Sequence, residues 1–407
     1  SRDSSARETP IAPAGAVDRP AGARGPRLPA PPMPPAVVMS AAACLAVCAQ
    51  AVLIVTKRPA LAVALFIIAA CLIAWGSRRL IATPGHRDPE RAGRPVGASW
   101  RIAAMVAAAL GASAVILFAR GVAPDFAWIA WCGSLPAACV AAWLADGRPL
   151  PCVRWRAERS HVIVLGVLLA TGFAIRVIWL DRVPFGFWFD EAFGALQVRR
   201  ILQDPAYRPV FVGTPGQGPT LSWYLTVPWF LLFGAGPLAM RLTPAIGGTL
   251  GILSIYAVGR ELFGRATGLI AAAIMTTFVW QVTFSRIAFS SLWSVTLDAF
   301  ALYFLMRAAR RGSYAPAALC GLFLGIGLWM YYTSRIMAAV LVLSALFTYG
   351  ARLRRYLGSF AALGACAVAV AVLATSPLLV YAVEHPDQFN GRLGEVSVFG
   401  EVRDRGS

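Results

Sequence analysis

Charge is what this 407-residue chain has least of. Asp, Glu, Lys and Arg make up 14% of it, against 58% hydrophobic residues and a mean hydropathy of +0.66. A water-soluble globule carries about a quarter charged residues, so that class is excluded and the chain reads as an integral membrane protein. Lysine is almost absent: Lys57 is the only one among 37 basic residues, and acids number 19. The remaining arginines punctuate long apolar runs instead of gathering on a soluble face between aromatics. That pattern argues against a nucleic-acid partner and for a role in topology. Histidine is limited to His86, His161 and His385, and the eight cysteines form no CxxC unit, so neither a zinc cluster nor a disulfide framework follows. Also missing are a DxD element, which holds a nucleotide-sugar diphosphate through a metal, and a GxGxxG phosphate loop.

What is present is organised by long apolar runs. Residues 1–35 hold nine prolines and no apolar periodicity, so a disordered Pro/Ala/Arg-rich tail is expected. The tail keeps the first apolar run from reading as a cleavable signal peptide. Runs long enough to cross a bilayer, about 17–25 residues, fall at 36–55, 59–76, 102–119, 126–144, 161–180, 237–259, 266–284, 288–306, 314–331, 335–350 and 357–382. The expectation is an all-α polytopic membrane protein with about eleven crossings. Its parts are the tail, four N-terminal helices with their loops over 36–160, a core over 161–382, and 383–407 as the start of an extracytoplasmic loop. With serine first and a polar end lacking any closing element, the chain reads as a fragment.

Arginine placement orients the helices. Arg148, Arg154, Arg156 and Arg159 set the loop before residue 161 on the cytoplasmic side, because cytoplasmic loops collect arginine. The next helix then delivers residue 181 to the outside. If the apolar stretch 219–235 does not cross, the arginine clusters at 260–265, 307–311 and 352–355 all fall inside; if it crosses, all fall outside. We therefore read 219–235 as lying along or dipping into the outer interface, where Trp223, Tyr224 and Trp229 suit the depth. The N-terminus is then cytoplasmic and 181–236 is a long extracytoplasmic loop with juxtamembrane helices.

That loop contains Phe185-Gly186-Phe187-Trp188-Phe189-Asp190-Glu191, two adjacent acids after an aromatic run. A plain explanation is helix capping, since Asp is a favoured N-cap. The setting offers another: acids beside bulky apolar side chains lose hydration, which raises a carboxylate pKa and makes a better base. Arg335 and Arg286 fall near outer helix ends, where a guanidinium can hold phosphate or simply snorkel. Arg176 sits a turn inside the membrane and needs a partner such as Asp181 or a lipid phosphate, a structural bridge rather than a catalytic group. Asp298, near mid-helix, reads as a polar contact between packed helices. Tyr331 and Tyr332 line a donor pocket or anchor the interface; Gln197, Gln217 and His385 are lesser candidates. Gly321-x3-Gly325 reads as close helix packing.

The run Arg176-x4-Asp181-x2-Pro184-x-Gly186-x-Trp188-x-Asp190-Glu191-Ala192 resembles the first external loop of polyprenyl-phosphate-sugar-dependent glycosyltransferases of the GT-C fold. Within these it resembles the bacterial family 39 group, related to protein O-mannosyltransferases and lipid A aminoarabinose transferases. Further similar pieces follow in order: Gly218-Pro219-Thr220-Leu221-x2-Tyr224, Arg241-Leu242-x-Pro244-Ala245, Gly259-Arg260-Glu261-Leu262-Phe263-Gly264-Arg265, Phe284-Ser285-Arg286-Ile287, Ala301-Leu302-Tyr303-Phe304-Leu305 and Tyr331-x3-Arg335. The resemblance covers about 170–395. It implies a GT-C helical bundle, Asp190 as catalytic base with Glu191 beside it, and substrate contacts from Arg335, Arg286, Tyr331, Tyr332, Arg176 and Gln217. The implied partners are a polyprenyl-phosphate-linked sugar, a protein, lipid or glycan acceptor, and membrane lipids of the plasma membrane. Two positions depart from the pattern: Gly218 stands where relatives often carry an acid or histidine, and Ser290 where they are frequently basic. These leave a divalent metal and the phosphate clamp open. The rivals are a transporter or flippase for lipid-linked sugars, which Asp298 favours, and a noncatalytic assembly subunit in which Asp190 only caps a helix.

Overall fold

The computed structural model describes residues 98–147, 159–213, 218–349 and 353–396, besides Ile68 alone. The predicted tail, the apolar runs at 36–55 and 59–76, and Gln217 lie outside the described residues. The protein is an all-α polytopic membrane protein. Helices α1 (Ser99–Arg120) and α2 (Pro124–Ala145) form a hairpin, closed by Gly121 in the left-handed region and started again by Pro124. Helix α3 (Arg159–Val177) leads to a loop and α4 (Phe189–Gln203). The two-residue strands β1 (Phe211–Val212) and β2 (Gly218–Pro219) pair antiparallel, before α5 (Leu221–Phe233) and α6 (Pro237–Phe263). The order then runs α7 (Arg265–Thr277), α8 (Val279–Ser285), α9 (Ser291–Arg311), α10 (Tyr314–Met330), α11 (Thr333–Tyr349), α12 (Leu353–Glu384) and α13 (Pro386–Val396). Among the described residues, six helices are long and apolar enough to cross a membrane, or seven if the bent pair α7–α8 counts as one crossing.

The bundle is a row of neighbours. The α1–α2 hairpin packs on α12 and α10, α10 on α9, α9 on α6, and α6 on α3 and α7. Close approach comes from small residues: a Cβ at Gly325 of α10 would sit 2.6 Å from the Ala371 carbonyl of α12, and one at Gly321 would collide with that of Ala367. The Gly321-x3-Gly325 packing reading therefore holds. Outward faces stay apolar, with Met105, Ile163, Val167 and Val368 exposed, as lipid requires.

Two expectations change. The run 266–284 is not one straight helix: it breaks at Phe278 and bends by 57°. A break in an apolar surrounding strands the carbonyls of Met275 and Thr276, which would otherwise accept from the next turn. Arg176 meets that need. It is fully buried, donates to both carbonyls at 3.3 Å, and bonds Gln281 and Ser285 of α8 as well as the Gly172 carbonyl. Its partner is thus not Asp181, which is exposed and paired with Arg182 at 3.5 Å. At the other end, α12 runs to Glu384 and α13 follows at Pro386. Helix α5, which falls in the stretch read as not crossing, has 13 residues, about 20 Å of helix, against a hydrocarbon layer of about 30 Å.

The N-terminal hairpin touches the long loop directly. Trp128 of α2 stacks on Trp329 (5.3 Å between rings) and lies against Tyr224 (4.5 Å), while Asp125 pairs with Arg208 at 3.0 Å. Tyr224 and Trp329 in turn donate to the carbonyls of Pro209 and Val210, so α2 backs the strap that leads into β1.

Candidate active site

The loop after α3 turns through Gly186, whose φ of 84° lies in the left-handed region that glycine enters without strain. It feeds α4, where Trp188 is the N-cap and Asp190 the second helical residue. Asp190 is therefore not the N-cap that the plain explanation supposed. Glu191, at the third position, reaches back to accept the Trp188 backbone N–H at 2.9 Å. Successive helical residues point about 100° apart, so this bond turns Glu191 inward and Asp190 outward.

Glu191 is 2% exposed. Arg241 of α6 grips its carboxylate with two bonds, Nε to Oε1 at 2.8 Å and Nη2 to Oε2 at 2.9 Å, and Ala288 N–H donates to Oε1 at 2.9 Å. Arg241 is equally buried and also donates to the carbonyls of Leu180, Pro184 and Gly186 at 3.2, 3.0 and 2.6 Å. One guanidinium thus fastens the 180–191 segment to α6. Burial pushes the Glu191 carboxyl up, but the hydrogen bonds from Arg241, Trp188 and Ala288 and the Arg241 charge outweigh it and hold the group below its ordinary value. For Glu191 the expectation that dehydration raises a carboxylate is corrected here: the buried acid is held low by its hydrogen bonds and the neighbouring cation.

Asp190 is exposed at a cleft of about 950 Å³, counted with its open mouth. No hydrogen bond or ion pair among the described residues engages its carboxylate. The walls are aromatic: Phe189 and Phe193 from α4, Trp223 from α5, Phe289 and Trp293 at the start of α9, and Tyr331 and Tyr332 from the α10–α11 link. Ser222, Thr226, Thr243 and Ser290 supply hydroxyls, and Asp190 is the only charged residue among the described ones that line it. Both departures from the resemblance, Gly218 and Ser290, lie in this lining, so the cleft lacks an acid and a base at those points. Among the described residues no group of three His, Cys, Asp or Glu could hold a metal, and one carboxylate does not fit a protein-held divalent ion.

The predicted residues separate into two sets. Asp190, Tyr331 and Tyr332 meet at the cleft. Arg335 stands just behind it, its guanidinium 4.9 Å from the Tyr332 ring centre and 4.1 Å from that of Phe389 in α13. Arg286 is outside the lining and braces the end of α3, donating to the carbonyls of Ile178 and Val183 at 2.8 and 2.9 Å and to that of Ile175. Arg176 is enclosed as described above, Gln197 accepts from the Tyr207 hydroxyl at 2.6 Å, and the His385 ring lies 4.8 Å from that of Tyr381. Arg241 is the residue that sequence reasoning passed over, quoted within a motif but given no role. Its signal was available: a lone arginine near the outer end of an apolar helix, opposite a loop with two acids.

Residues 216–381 match the family model described as dolichyl-phosphate-mannose-protein mannosyltransferase. Over that stretch, less than half of the chain, the protein is similar to a family of mannosyltransferases. The stretch includes Arg241, most of the cleft lining and Arg335, and it begins after the acid pair, which lies outside the match. No curated protein and no solved structure matches the chain.

Proposed function

We propose that this protein is a membrane glycosyltransferase of GT-C type that moves a sugar, a mannose-like hexose or a pentose, from a polyprenyl-phosphate donor to a hydroxyl on a protein, lipid or glycan. The reaction takes place on the extracytoplasmic face of the membrane and inverts the anomeric centre. The observation that carries the reading is an unengaged carboxylate, Asp190, at the mouth of an aromatic cleft in a chain similar to mannosyltransferases over 216–381.

Asp190 takes the proton of the acceptor hydroxyl as that oxygen attacks the anomeric carbon. The bond to phosphate breaks, and its electron pair leaves with the polyprenyl phosphate. Glu191 is not a second base in this scheme. Locked to Arg241, it sets the helical register that presents Asp190. The aromatic walls offer flat apolar faces to the sugar ring, and the four hydroxyls orient it. Arg335 is the cation proposed for the departing phosphate: it rests on Tyr332, a wall residue. Arg286 takes part indirectly, by holding the loop, and Gln217 remains a proposed acceptor contact.

Replacing Asp190 by Asn should lower sugar transfer from a defined polyprenyl-phosphate donor by about 10²-fold or more, with membrane insertion and melting temperature unchanged. Full turnover in the purified D190N variant would remove the assigned base.

A further inference from the structure

The loop that joins α3 to α4 carries its apolar side chains outward. Phe185 is fully exposed, Trp179 and Trp188 are 69% and 68% exposed, and Val183 is 51% exposed. Many of its backbone carbonyls are instead met by the protein. Arg241 takes those of Leu180, Pro184 and Gly186, and Arg286 those of Ile178 and Val183. The Trp179 carbonyl accepts the N–H groups of Arg182 and Val183 at 3.0 and 2.8 Å. An irregular loop in water has no need of this, because water satisfies exposed backbone and polar side chains suit the surface. An outward aromatic patch over an internally bonded backbone marks an interaction surface.

Position says what the surface meets. α3 is long and apolar enough to cross a membrane, and only 11% of that span is buried in the bundle, so it is an edge helix. Phe173 and Ile175, near its end, are exposed, and Ile178 and Trp179 continue that apolar exposure past Val177, where the helix stops. The loop therefore starts at the depth where α3 leaves the hydrocarbon. Irregular backbone at the edge of lipid is tolerated when protein groups bond its polar atoms, and the two guanidinium groups do this. Tryptophan suits that depth, with an apolar body and a polar N–H. Arg182, its side chain 79% exposed, has the reach and charge for headgroup phosphates.

We infer that residues 178–188 form a wedge that inserts Trp179, Val183, Phe185 and Trp188 into the boundary between headgroups and acyl chains of the leaflet where α3 emerges. The partner is a phospholipid surface. The wedge requires that α3 crosses the membrane and does not depend on the sugar-transfer reading. Because Asp190 follows Trp188 closely in the chain, the wedge also holds the mouth of the cleft at headgroup depth. The first test uses the unmodified full chain in phosphatidylcholine–phosphatidylglycerol vesicles with a trace of phospholipid carrying a diazirine high on one acyl chain. Illumination should attach lipid within 178–188; attachment confined to the spanning helices overturns the wedge. The second test places a bimane-labelled cysteine at Val183 or Phe185, with the eight native cysteines replaced by alanine. In vesicles, a phospholipid nitroxide should quench both labels several-fold more than aqueous iodide does. Stronger quenching by iodide, which means water over the patch, or quenching by neither, which means a covering of protein, overturns the inference.

Discussion

Removing the Glu191 carboxylate would leave Arg241 buried with its three carbonyl bonds and no counter-charge. That kind of loss costs about 3–5 kcal/mol, and replacing both partners with apolar side chains costs far less. Glu191→Ala should therefore lower the melting temperature sharply, while a joint Glu191→Leu, Arg241→Met variant should recover only part of it, because the Leu180, Pro184 and Gly186 carbonyls and the Ala288 N–H lose their partners too. A double variant as unstable as the single one would show that the pair contributes more than compensation. The same group sets a pH response. Because the folded chain holds Glu191 below its ordinary carboxylate value, it binds fewer protons than the unfolded chain does. The contribution is complete above about pH 4.5 and is lost as pH falls through the lower folded value. Acid titration of the melting temperature should show this loss, and Glu191→Gln should flatten that part of the curve. At this scale the sequence made the acid pair legible, and the resemblance distinguished its members. Their environments were not legible, because they depend on Arg241, fifty residues away, and on the single bond that fixes the start of α4.

At the scale of elements, Arg176 and the 57° bend of α7–α8 are one feature. The bend exists without proline or glycine at Phe278, and the apolar run is continuous through it, so no local signal marked it. Arg176, in the last turn of α3, was visible as a charge in need of a partner. That the partner would be the backbone of a broken helix follows only from the tertiary arrangement. Arg176→Met should leave the Met275 and Thr276 carbonyls unmet at about 1–3 kcal/mol each. Hydrogen exchange should rise in 275–285 well before the rest of the bundle opens. Unchanged protection there would mean that other groups satisfy the break. The glycine contacts between α10 and α12 were readable, since small residues four apart carry their own geometric meaning.

For the whole molecule, apolar runs gave the class and most helix positions, because every backbone group in lipid must be satisfied within its own helix. Crossings are harder to read. α10 and α11 are only 17 residues each, and α5 is apolar but short. The arginine pattern requires cysteines placed near residues 195 and 309 to label from opposite sides of the membrane; labelling from one side would reverse the assignment of 219–235. The place of the N-terminal hairpin was illegible in sequence, since nothing local links Trp128 to Tyr224 and Trp329 or Asp125 to Arg208.

The register of α4 carries one last consequence. Asp190 and Glu191 are chemically near twins, told apart only by where the helix begins. A residue inserted between Trp188 and Asp190 would put Asp190 at the third helical position in place of Glu191, about 100° round the axis, and send the wrong acid toward Arg241, even with every side chain of the cleft intact. That short stretch should therefore accept changes of composition far more readily than changes of length.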